Sequence, residues 1–220
     1  MSSVQVENKK TIDTAVRSLS GAKVSPSYMA HVVLRTTQKS VLMHWYSTVL
    51  GAEPVFDSGI VSFMTFDQEH HRLAIADVEF EVKKVEGMAT VDHIAYSMAS
   101  LEDLLNTYIR LKAEGILPVW PINHGPTISL YYRDPDGNHV ELQADAFPTL
   151  AECKEYIAKS TEFRADPIGV EFEPDALIDA YEAGMPLKEI FKRGTLPPPK
   201  IEPSRTFGPG WQTSLLTMQG

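Results

Sequence analysis

The sequence predicts an α+β fold of two paired βαβββ modules followed by a C-terminal helical extension. Two observations carry that prediction. A block of histidine, strand, helix, glycine and hairpin occurs twice, 62 residues apart (His31 to His93). After Phe147 the strand texture gives way to helical spacing and then to prolines. Each module is too small to bury its own sheet face, so the two should pair and enclose a central space.

Taken in order, residues 1–26 are polar with little periodicity and read as an N-terminal arm. A domain over 27–147 follows, in modules of 28–85 and 90–147. The run from Met29 to Thr36 reads as a buried strand. Val41, Leu42, Trp45, Val49 and Leu50 then recur near helical spacing until Gly51 stops them. The runs 59–66 and 71–75 read as two strands joined by a polar turn at Asp67-Gln68-Glu69. The second module repeats the order, with a strand over Asp92–Ser97, a helix over Leu101–Ala113 closed by Gly115, and a strand over Thr127–Tyr132. A strong turn at Asp134-Pro135-Asp136-Gly137-Asn138 leads into a strand from His139 to Gln143. The C-terminal extension, 148–220, carries helical patterns over Thr149–Lys159 and Asp175–Lys192. It then becomes a proline-rich stretch that can continue neither a helix nor a central strand.

Composition narrows the function. The 220 residues carry 20 Lys and Arg against 29 Asp and Glu, a net charge of −9. Nucleic-acid binding needs a basic footprint, which is missing here. No apolar run approaches the roughly 20 residues of a membrane span, and no apolar leader opens the chain. The single cysteine, Cys153, points to a reducing, cytoplasmic setting and to a core held by packing or a metal. The proline-rich tail and helical appendage suggest a homo-oligomer.

The chemistry lies among the histidines. His31 and His93 hold the same place in two repeated modules, each beside apolar strand residues, and an imidazole there needs polar partners. Glu141 lies between Val140 and Leu142, so strand alternation turns it to the opposite face from both. Two histidines and a carboxylate on rigid strands are the donor set of a facial metal triad with open positions. His44 and His139 read as structural.

The run from Asn123 to Leu142, ending in Asp134-Pro135-Asp136-Gly137-Asn138-His139-Val140-Glu141-Leu142, resembles the vicinal oxygen chelate superfamily of glyoxalases, bleomycin-resistance proteins and extradiol dioxygenases. More narrowly it resembles the one-domain type I extradiol dioxygenases of the biphenyl-2,3-diol cleaving kind. The resemblance implies a vicinal oxygen chelate fold forming a metal-enclosing open barrel. It also implies Fe(II), with Mn, Ni or Zn as alternatives, held by His31, His93 and Glu141. From His70-His71-Arg72-Leu73-Ala74 it implies that His71 is the acid–base histidine near bound dioxygen, with His70 as the rival. His124 in the loop before the final hairpin and Tyr131, ten positions before Glu141, complete the implied catalytic set. The implied partners are a catechol-type aromatic substrate and O2, with Trp120, Phe63 and Tyr132 shaping the pocket.

Internal symmetry offers a further test. Overlaying the two hairpins puts Leu73 where the first module would supply a second carboxylate, leaving three protein ligands and open positions for substrate and gas. A strict 62-residue offset instead sets Glu79 opposite Glu141. A fourth ligand there would favour a glyoxalase-like isomerase or transferase, and loss of the triad would favour a non-catalytic small-molecule-binding protein.

Overall fold

The computed structural model describes residue 21, residues 23–79 and residues 90–200. The expected N-terminal arm therefore lies almost wholly outside the described residues, as does the tail beyond 200. The chain divides into a unit ending at Ala30 and a second from His31 onward. The described part of the first contains no helix or strand.

The second unit is α+β. Strands β1 (Val32–Thr36), β2 (Glu53–Asp57), β3 (Val61–Thr65) and β4 (Leu73–Asp77), with helix α1 (Lys39–Leu50), form the first module. Strands β5 (His93–Ser97), β6 (Trp120–Asn123), β7 (Thr127–Arg133) and β8 (His139–Asp145), with helix α2 (Leu101–Ala113), form the second. The sheets run β1-β4-β3-β2 and β5-β8-β7-β6-β9, where β9 is the short Val170–Glu171 strand. In each module the first strand lies parallel to the last, and the hairpin is antiparallel.

Local chemistry sets these elements. In α1, Leu42, Trp45, Tyr46 and Val49 form one buried stripe, and Gly51 takes the left-handed conformation (φ 65°) that ends the helix. The Ser100 hydroxyl caps α2 by accepting the Asp103 amide, and Arg110 and Lys112 lie in its last turn. Neither β2 nor β6 is evident from pattern, because Pro54 and Pro121 interrupt the strand texture. The helix expected over Asp175–Lys192 is two, α5 (Pro174–Glu182) and α6 (Leu187–Ile190), separated at Gly184-Met185-Pro186. Ahead of them lie α3 (Leu150–Lys159) and α4 (Thr161–Ala165).

One hydrophobic core joins both modules. Leu42, Tyr46, Met64, Leu73 and Ile75 share it with Leu104, Leu111, Leu130, Val140 and Leu142. Phe172, Leu177 and Ile190 of the C-terminal segment belong to the same cluster. Tyr132, expected to shape a pocket, is fully buried in this core, because it points away from the face that Tyr131 occupies. A polar pin also ties the modules. The buried Asp134 carboxylate accepts the Tyr46 hydroxyl of α1 (3.2 Å) together with the amides of Asp136 and Asn138 (3.0 and 2.7 Å). The Asp-Pro-Asp-Gly-Asn turn is thus a structural joint between the halves.

Candidate active site

The register of the second sheet assembles a polar cluster. Ala95 pairs with Glu141, which in turn pairs with Tyr131, and directly paired residues share a face. Val140 and Leu142 enter the core while Glu141 turns the other way, as strand alternation requires, and it is still only 4% exposed. His93 Nε2 lies 3.0 Å from Glu141 Oε2, and His93 Nδ1 lies 2.7 Å from Asp92 Oδ2. Burial alone would raise the Glu141 carboxyl. Hydrogen bonds from His93 and Ser129, with the nearby charges of His93 and His124, outweigh it and hold the group below its ordinary range. The same Glu141 contact, working against burial and helped by Asp92, lifts His93 to about 8.

His124 extends the cluster. Its Nε2 is 3.1 Å from the Tyr131 hydroxyl and 4.0 Å from Glu141 Oε1, while Nδ1 meets the carbonyl oxygen of Ile168. A carbonyl only accepts, so this contact keeps the ring proton on Nδ1 and leaves Nε2 to accept from Tyr131. Burial pushes His124 below the ordinary imidazole value and favours this neutral form. Burial and the Glu141 charge raise the Tyr131 hydroxyl, which also has Glu141 as a hydrogen-bond partner. The Tyr131 proton therefore has two acceptors, His124 Nε2 and the Glu141 carboxylate. Trp120 packs tilted against Tyr131 (centroids 4.9 Å apart, planes at 41°) and is steadied by its indole N–H donating to Glu171 (2.9 Å).

The remaining two sequence-predicted residues meet in the first module. His31, directly before β1 rather than within it, lies 4.4 Å from His71 between ring centroids, and Phe63 stacks on His71 at 4.5 Å. His70 is 70% exposed, with Nε2 toward Glu69 and Nδ1 2.5 Å from His71 Nδ1, whereas His71 packs against the His31 and Phe63 rings. Burial, then the charges of His31 and His70, press His71 below its ordinary value.

The donor chemistry fits a divalent metal at two positions. Two atoms each about 2.1 Å from one ion at right angles are about 3 Å apart, which matches the His93–Glu141 separation. The Asp92 carboxylate on the far nitrogen of His93 is the outer support that ligating histidines use. Among the described residues no three His, Cys, Asp or Glu side chains are grouped so as to hold a metal ion. His31 is packed on His71, and His93 and Glu141 form the pair.

Sheet register corrects the symmetry argument by one residue. His93 pairs with His139 and Ala95 with Glu141, whereas Val32 pairs with Leu73 and Val33 with Ala74. With His31 and His93 equivalent, Ala74 and not Leu73 stands in the place of Glu141, and Leu73 lies in the core like Val140. Phe63 pairs with Ala74 as Tyr131 pairs with Glu141, so Phe63 stands in the place of Tyr131. Glu79 lies beyond the end of β4 and is exposed, so it is not the counterpart of Glu141. The first module offers no second carboxylate at that position. A separate cleft of about 670 Å³, lined by Thr48, Leu50, Phe66, Tyr96 and Arg110 among others, shares no residue with either cluster.

Residues 28–142 match the family of the glyoxalase/bleomycin resistance protein/dioxygenase superfamily. The chain is 44% identical over 162 residues to biphenyl-2,3-diol 1,2-dioxygenase 2 of Rhodococcus globerulus, covering 73% of this chain and 85% of that protein. It is 43% identical over 167 residues to biphenyl-2,3-diol 1,2-dioxygenase 3 of the same organism, covering 75% and 87% respectively. The chain belongs to the extradiol dioxygenases of this superfamily. It is therefore an oxidoreductase that opens aromatic rings, on the vicinal oxygen chelate fold that the sequence implied. The dioxygenase has no helix among its described residues long and apolar enough to cross a membrane.

Asp92 could have been found from sequence, since it adjoins His93. The carbonyl of Ile168 could not, because it reaches His124 across 44 residues.

Proposed function

We propose that this dioxygenase cleaves a biphenyl-2,3-diol or a similar 3-substituted catechol with O2, in the cytoplasm, as part of aromatic catabolism and as a homo-oligomer. The metal would be Fe(II), held by His31, His93 and Glu141. When bound, the iron would supply Lewis acidity to the diol oxygens and electron transfer to dioxygen.

The observation that carries this reading is the buried array Glu141, Tyr131 and His124. A diol must shed a proton to chelate well, and His124 Nε2, unprotonated and already accepting from the Tyr131 hydroxyl, can take one. Tyr131 can donate to a substrate oxygen or relay its proton to His124 or Glu141. His71, kept uncharged by its surroundings, can accept or return a proton on the first-module side. The aromatic face of Trp120 and the Phe63 ring suit a planar ring substrate, and holding diol and gas together supplies much of the acceleration.

The test is anaerobic reconstitution with Fe(II), then exposure in air to a panel of 3-substituted catechols that includes 2,3-dihydroxybiphenyl. Yellow product with matching oxygen uptake is expected. The absence of both across the panel overturns the reading.

A further inference from the structure

The geometry points to Arg193, in the segment after α6, as a positioning residue that sets His124 for proton transfer. The claim rests on the role given to His124 above.

Arg193 is 9% exposed. One guanidinium nitrogen donates to the Asp166 carbonyl at 2.7 Å, and the other donates to the carbonyl of His124 itself. The guanidinium carbon also lies 5.6 Å from the Phe163 ring centroid. Arg193 thus straps together two loops, 123–125 and 166–169. It is the second of these that presents the Ile168 carbonyl to His124 Nδ1.

Other contacts press the same loops together. Asn123 donates through Nδ2 to the Phe191 carbonyl (2.9 Å) and accepts the Gly125 amide on Oδ1 (2.8 Å). Gly169, at φ +115°, lies so close that a Cβ there would be 2.2 Å from the Asn123 carbonyl oxygen. The planar fork of arginine suits this task, because one rigid group meets two carbonyls at once. A misplacement of about 1 Å at a catalytic group can cost on the order of 10²-fold.

The test compares wild type with Arg193→Met and Arg193→Lys, and closes a cycle with His124→Ala and the double variant. Readouts are kcat, KM, iron per chain, the anaerobic Kd for 2,3-dihydroxybiphenyl and the pH profile of kcat. Arg193→Met is expected to lower kcat about 10- to 100-fold with KM, Kd and iron content within about twofold, and to displace the acid limb of the pH profile. Arg193→Lys should recover part of the loss. In the His124→Ala background, Arg193→Met should cost less than about threefold, since its only route of action is gone.

Turnover within twofold of wild type in Arg193→Met overturns the inference. So does an undiminished loss in the His124→Ala background. If Arg193→Met does not fold, Arg193→Lys closes the cycle under the same criteria. Wild-type turnover in His124→Ala itself would remove the role of His124, and the positioning role with it. An impaired His124→Ala with additive losses removes only the role of Arg193.

Discussion

Phe63 and Tyr131 hold the same place in two equivalent hairpins, Phe63 opposite Ala74 and Tyr131 opposite Glu141. One half of the duplicated fold carries the ionisable pair Tyr131 and Glu141 at this position, and the other carries two side chains with neither an acidic proton nor a charge.

Ala74→Glu restores the symmetric carboxylate. The variant is expected to keep its metal while losing oxygen uptake by more than about 100-fold, because a fourth ligand closes a position that substrate and gas need. Overpacking will also cost about 1–3 kcal/mol. Iron content and oxygen-electrode rates check this, and uptake near wild type in a metal-loaded variant would refute it.

His71→Ala should retain iron and lose turnover by about 10² to 10⁴-fold, the range for removing a proton-transfer group. His70→Ala should stay within about threefold, since its ring is mostly solvated. Iron assays beside kcat decide the point, and loss of iron from His71→Ala would make it a ligand.

Stability of the metal-free protein should depend on pH through His93 and Glu141. The His93 value is raised from 6.5 to about 8, so its contribution is complete below about 6.5 and vanishes as pH rises through about 8. Glu141 is held below its usual 4.5, so its contribution is present above that and is lost on acidification. The Tm difference between wild type and His93→Gln should peak between about pH 5 and 6.5 and fade above about pH 9. A difference that stays flat from pH 5 to 9 contradicts this.

Asp134→Ala should lower stability by about 3 kcal/mol, because it leaves the Tyr46 hydroxyl and the turn amides without their acceptor. For a chain of this size that is roughly 6–12 °C in Tm. Asp134→Asn should lose less than half as much, and equal losses would show that the charge matters rather than the hydrogen bonds. Thermal unfolding followed by circular dichroism reads both.

Much of the fold was legible because its signals are local. The stripe Leu42, Trp45, Val49 specifies a helix face, Gly51 its end, and the two-residue period of Val140-Glu141-Leu142 sends Glu141 away from the core. Strands β2 and β6 escaped notice because Pro54 and Pro121 are poor strand residues that tertiary pairing tolerates. The break at Gly184-Met185-Pro186 was readable in principle, but helical spacing on either side masked it.

The residues alone determined the two-module repeat and the polar face that bears Glu141, since short-range periodicity encodes these, while the set His31, His71, His93, His124, Tyr131 and Glu141 was legible through the family resemblance of the motifs around them. Only the folded chain decided that Ala74 faces Phe63 where Glu141 faces Tyr131, and that Arg193 reaches the carbonyl of a histidine 69 residues earlier. Strand register and loop-to-loop contact are set by packing between segments distant along the chain, and no local pattern carries that information.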